Sequence, residues 1–299
     1  FMNEAHSGGA VHASSASAVS FASDSFVNNT ANHDGGAMHL TACADVSMKE
    51  VEWTSNTAGT SGGAVYGDSS MFAIVASKWI FNSAGTGGGL YASESVVSDN
   101  SSTFSGNDAK LDGGAVFIFR GSCTLSSTRI LENTASKEGG GMRVLASEVI
   151  ATQVLVAGNN ASTGGGVSTN ATVWMLSLST MSSNTASQGG ALALTYGATL
   201  TTAETTWMDN SATNAGAIHS LESTMLITKD TFLLNSATEH GGAMHVSGGV
   251  IRVSNSTFDS NTADAGGGGY FTDSAALTAS DGVWANNSAV QWGGAFKCA

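Results

Sequence analysis

A pair of glycines recurs along this 299-residue chain at intervals of 25 to 27 residues. The motifs begin at Gly8, Gly35, Gly62, Gly87, Gly113, Gly139, Gly164, Gly189, Ala215, Gly241, Gly266 or Gly267, and Gly293. A second signature, aromatic-x-x-Asn-x-Ala, stands before each of them, as in Phe26-Val27-Asn28-Asn29-Thr30-Ala31. A fixed period of this length is the mark of a repeat architecture and overrides any domain count taken from length. The chain therefore reads as one continuous repeat array over residues 1–299.

Within each repeat the apolar residues alternate with period two. The third position after the first glycine is apolar, as at Val11, Met38, Val65, Leu90, Val116, Met142 and Val167. Period two means strand. A second run such as Val250-Ile251-Arg252-Val253 follows, and a third carries the aromatic residue. No helical period is sustained. Three short strands in about 26 residues make one coil of an all-β, right-handed parallel β-helix, with about 11–12 coils stacked at roughly the 4.8 Å strand spacing. The absence of proline fits, since interior strands need every N–H for pairing.

Stacking turns equivalent positions into columns. Phe26, Trp53, Trp79, Phe104, Ile130, Val156, Met181, Trp207, Phe232, Phe258 and Trp284 form an expected internal ladder. Asn3, Asn29, Asn56, Asn82, Asn107, Asn133, Asn159, Asn184, Asn210, Asn235, Asn261 and Asn287 form a second, expected at a corner where asparagine tolerates a left-handed backbone and its amide both donates and accepts. The alanine two places later marks a tight corner. The glycines supply positive φ or close backbone approach.

The paired signatures resemble the G-G-A-I and F-x-x-N repeats of the polymorphic outer membrane proteins, also found in large surface proteins of algae and other protists. Copies such as Phe232-Leu233-Leu234-Asn235 followed by Gly241-Gly242-Ala243-Met244 carry the likeness along the whole chain. The resemblance implies an extracellular or cell-surface right-handed β-helix used for adhesion or as a stalk, flagellar hairs being one such setting. The expected role is a structural rod segment of a surface or filament glycoprotein. It would assemble with itself, with sister subunits or with adjoining segments of a longer chain. An adhesin that binds a glycan or receptor is the alternative, and a polysaccharide-active enzyme a second. Incomplete motifs at both ends suggest an excerpt of a longer protein.

Charge and composition narrow the partners. Ten Lys and Arg against 23 Asp and Glu give a net charge of −13, which opposes nucleic-acid binding. No apolar run approaches a membrane-spanning length of about 18 residues. The four arginines are scattered, and no acidic cluster recurs beside one, so no catalytic residue and no cofactor are expected. No metal site is expected either. The pairs His12/His39 and His219/His245 lack a third ligand, and Asp112 and Glu138 in neighbouring coils read as a solvated pair partly offset by Lys137. Cys43 and Cys123 are expected as small core residues. Cys298 lies near one end.

Two surface features remain. Asn28, Asn100, Asn160, Asn170, Asn255 and Asn286 fit the N-glycosylation pattern, which predicts covalent glycans. If the third position after the first glycine points inward, the fourth points outward. His12, His39, Tyr66, Tyr91 and Phe117 then stack outside five successive coils, beside an outward Ala/Gly column from Ala10 to Ala295. Such an apolar strip is a candidate contact surface.

Overall fold

The computed structural model describes residues 3–299; Phe1 and Met2, part of the first incomplete motif, lie outside the described residues. The fold is an all-β parallel solenoid of about 26 residues per coil and about 11 coils. It divides into two compact units, Phe1–Val149 and Ile150–Ala299.

One coil of the first unit shows the plan: a first strand Val65–Asp68, a second Met71–Val75, a third Lys78–Ile80 and a fourth Ser83–Ala84. Each pairs in parallel with its counterpart in neighbouring coils, Val65 with Leu90, Phe72 with Val97, Trp79 with Phe104 and Ser83 with Asp108. The second unit repeats the plan with Ile218–Leu221, Thr224–Thr228, Thr231–Leu233 and Ser236–His240. The fourth strand is an addition to the three that the sequence pattern predicts. Its residues follow the ladder asparagine and include the recurring alanine, a stretch too short to show alternation. It is two residues long in the first unit and four or five in the second.

The aromatic column is the core. Phe26, Trp53, Trp79 and Phe104 stack with centroids 4.5, 5.2 and 5.1 Å apart. Trp207, Phe232, Phe258 and Trp284 do the same at 5.7, 4.3 and 4.0 Å. Each such pair adds about 0.5–1.5 kcal/mol beyond the area it buries. Trp53, Trp79 and Trp207 are wholly buried.

Besides the bend at the glycine pair, the chain turns three times per coil through one left-handed residue: Ser69, Ala76 and Phe81 in the coil above, with φ of 50°, 49° and 54°. The expectation that the ladder asparagine itself is left-handed is corrected. The residue before it takes positive φ, at Asn28, Ser55, Phe81 and their equivalents. That single residue swings the strand around the corner. The next side chain then points inward, where an amide can reach the coil on either side.

The inward residue accepts the corner N–H that strand pairing cannot reach. Asn56 donates its backbone N–H to Asn82 Oδ1 at 3.0 Å and its Nδ2 to the same oxygen at 3.0 Å. Asn82 Nδ2 also donates to the Trp53 carbonyl at 2.9 Å. The second unit repeats this through Asn184, Asn210, Asn235 and Asn261. Every buried corner amide so placed is satisfied.

The glycine pair divides two tasks. The first glycine is left-handed, as at Gly35 and Gly62, and Gly266 rather than Gly267 holds this place. The second sits against the next coil: a Cβ on Gly63 would lie 2.0 Å from the Gly88 carbonyl oxygen. The Ala/Gly column that follows is the clearest reversal of the sequence expectation. Ala37, Ala64, Ala115, Ala191, Ala217 and Ala243 are fully buried, not outward. The chain bends at the glycines, so alternation begins one residue later and both this residue and the next face the core. A Cβ on Gly166 would meet Val156 and the Asn184 amide, which confirms the inward direction.

Candidate functional site

Sequence reading missed two further corner ladders. Cys43 N–H donates to Ser70 Oγ and Ser70 N–H to Ser95 Oγ, both at 3.0 Å. At the next corner Val51 donates to Ser77 Oγ at 3.2 Å and Ser77 to Ser102 Oγ at 3.0 Å. The signal was present as a Ser or Thr after many of the left-handed residues at these two corners, such as Ser69, Ala76, Glu94 and Ser101, but Ser and Thr are too common here to stand out. Cys43 occupies a serine place in this column, its Sγ 3.6 Å from the Thr41 carbonyl. Cys123 is buried on a second strand and burial pushes its thiol up; Cys298 is exposed.

The outer column does form. His12, His39, Tyr66, Tyr91 and Phe117 are register partners in successive first strands. Their centroids are 4.8, 4.8, 5.2 and 5.0 Å apart with planes within 12° of parallel. The spacing of the coils closes the ring faces against one another, so only the edges meet solvent. The expected open strip is corrected on both counts. Its Ala/Gly partner is internal, and the rings are half-buried, with His12 exposed and Phe117 only 7% exposed. Burial is also the main reason the Tyr66 hydroxyl is pushed up to about 12 and Tyr91 upward, helped by the negative charge of Asp34 and Asp68. His39 is shifted downward by burial and by His12, against the pull of those two aspartates.

Arg143 continues the column after Phe117 and is itself buried. Its guanidinium lies 2.8 Å from Glu138, and Glu138 donates its backbone N–H to Asp112 at 3.1 Å. Asp112 is shifted upward by burial and by Glu138, and Arg143 opposes that shift. Lys137 offsets this acidic pair as expected, and Arg143, from a column the sequence pattern did not connect with it, adds a second positive charge.

Of the six glycosylation candidates, Asn28, Asn100, Asn160, Asn255 and Asn286 are exposed, and Asn170 is half-buried at the end of a first strand. Asn28, Asn255 and Asn286 occupy left-handed corners, at φ 56°, 50° and 52°, where the side chain projects from the coil.

A cavity of about 270 Å³ opens at the first coil, lined by Asn3, Ala10, Ser25, Phe26, Val27 and Asn29. It holds no acid or base. Among the described residues no three His, Cys, Asp or Glu side chains gather closely enough to hold a metal ion, and no helix is long and apolar enough to cross a membrane. Family models, curated proteins and solved structures were all compared with this chain, and none matches it.

Proposed function

We propose that this chain is a structural segment of an extracellular surface or filament glycoprotein, built from repeats of the polymorphic outer membrane protein type. One observation carries the reading. Successive coils are tied by parallel sheets and by side-chain ladders, at the asparagine and second corners in both units and also at the first corner in the first unit, with turns of uniform shortness and no inserted loop among the described residues. Repeats that contact their neighbours in this way resist bending and stretching through many hydrogen bonds at once. Functional clefts are usually walled by long loops, and this chain spends its residues on coils instead.

Exposed asparagines at the corners support the glycoprotein reading, since a glycan there would leave the sheets undisturbed. The closed faces of the outer rings weigh against the adhesin alternative, because sugars stack on open aromatic faces.

Glycopeptide mass spectrometry and electron microscopy of native material test the proposal. The expected result is glycan at Asn28, Asn255 or Asn286 and incorporation of the chain in an ordered appendage or surface layer. Saturable binding of the isolated chain on a glycan array, with no ordered assembly, would replace this reading with the adhesin.

A further inference from the structure

In the second unit the outer column runs through His219, His245 and Tyr270, register partners on three first strands. The end of the fourth strand Ser236–His240 closes on it. The His240 ring lies 5.6 Å from His245 and 4.5 Å from Tyr270, and His219 lies 5.3 Å from His245. Three imidazoles therefore share one place. His219 is 9% exposed, and the Nδ1 atoms of both His219 and His245 are buried without a hydrogen-bond partner. His240 is tied differently, with Nδ1 2.9 Å from Asn214 Oδ1 on the preceding coil.

No buried acid compensates them. Asp273 is exposed and held by the Ser247 and Thr272 hydroxyls. Glu239 stands 3.9 Å from His240 Nδ1 with its carboxylate largely in solvent. Asp264 accepts from Gln291 on the neighbouring fourth strands, and Lys297 is the register partner of Tyr270. The strand end over the cluster also pairs irregularly with both of its neighbours. Pairing shifts between Ala212 and Asn214 on one side and between Ser236 and His240 on the other. Such an element opens before a core strand does.

We propose that His219, His240 and His245 form an acid-sensitive latch, whose protonation releases the end of Ser236–His240 from the outer face of its coil while the solenoid core stays closed. A second or third positive charge within 6 Å is unfavourable, and in the imidazolium form the Nδ1–H of His219 and of His245 finds no acceptor. Opening the strand end gives both rings water without breaking the aromatic or asparagine ladders. Burial already holds His219 and His245 down at about 4. In the first unit the fourth strands are only two residues long, Asp34 and Asp68 face His39, and the His6–His33 ring pair is exposed, so the latch is proposed for the second unit alone.

The experiment uses the whole 299-residue chain. Imidazole carbon NMR across about pH 3.5 to 7.5 follows all seven histidines, with His219→Gln and His245→Gln assigning the two signals. Hydrogen exchange, with labelling times corrected for pH, follows the peptide over residues 234–245 against a reference over residues 83–98. The expected result is that His219 and His245 titrate well below the ordinary imidazole value and that protection of 234–245 falls roughly tenfold at about pH 4 while the reference holds. The double variant should lose that acid response. Titration of both histidines near the ordinary value, or unchanged protection of 234–245 at about pH 4, overturns the latch. Should the double variant misfold by circular dichroism, the titration and exchange of the unmodified chain decide alone.

Discussion

The indole N–H of Trp207 donates to a carboxylate oxygen of Asp230, one coil further on, at 3.0 Å. The other oxygen of Asp230 accepts the backbone N–H of Thr205, also at 3.0 Å. Asp230 thus stands where other coils carry Ser or Thr in the second corner ladder, and it does the work of that residue and of an indole acceptor. Trp53 and Trp79, whose next coils carry Ser77 and Ser102 at the corresponding corner, keep a buried Nε1 with no partner.

Asp230→Ala leaves two buried donors without acceptors. Each such orphan costs about 1–3 kcal/mol, so a loss of about 4 kcal/mol is expected. Asp230→Ser restores the corner bond alone and should cost about half as much. Urea unfolding midpoints of the two variants check the order; equal losses would contradict the shared-acceptor account.

Asn82→Ala removes the acceptor for both the backbone and side-chain N–H of Asn56, and the donor to the Trp53 carbonyl. The expected loss is about 4 kcal/mol by the same reasoning. Asn82→Asp keeps the acceptor but cannot donate to Asn107 or to Trp53, and it buries a charge in a neutral ladder. It should recover little stability at neutral pH. Equilibrium unfolding of both variants is the measurement, and a near-neutral Asn82→Asp would show that donation along the ladder contributes little.

Glycine substitutions should separate by their surroundings. Gly63→Ala places a Cβ 2.0 Å from a backbone oxygen of the next coil and should prevent local pairing. Gly197→Ala meets nothing within 4 Å and suffers only its φ of 75°, a cost of about 1 kcal/mol. Ala215 already holds the left-handed place that glycine fills in the other coils, at φ 62°. Ala215→Gly should therefore stabilise the chain by up to about 1 kcal/mol, offset in part by the freedom glycine adds to the unfolded chain. Thermal melts rank the three.

Stability should fall as acid is added, beginning near neutrality. His219 and His245 are held at about 4 in the folded state against 6.5 unfolded, with burial the leading cause. The unfolded chain thus binds more protons between those values. The contribution of the neutral rings is complete above 6.5 and is lost as pH falls toward 4. It is on the order of 3 kcal/mol for either ring alone, and less than additive because the rings face each other. Asp230 acts with the opposite sign. Burial raises its carboxyl, so the folded chain keeps that proton to a higher pH than the unfolded chain and gains stability as acid is added through that window. Melting temperature against pH should show a net decline toward pH about 4, reduced in the His219→Gln/His245→Gln variant. A flat profile in the unmodified chain would remove the histidines from the account.

The period of the glycine pairs, the aromatic column and the asparagine column were legible because stacking demands the same residue type at the same place in every coil. Positions with weaker demands were not. The serine and threonine ladders hid in a composition rich in both residues. The left-handed corner sites accept residues as different as Ser69, Ala76 and Phe81, since their side chains point to solvent and only their backbone is constrained. Arg143 gave no sign in the sequence that it would sit between the charges of Asp112 and Glu138.

Repetition by itself determined a parallel all-β solenoid and which residues stack, because a column of identical side chains at one period admits little else. Only the tertiary structure decided which way the residues beside the glycines face. The bend there is set by backbone packing between coils, so Ala64 turns into the core, Tyr66 lies half-covered at the surface, and His240 meets the His219/His245 pair although no spacing in the sequence joins it to them.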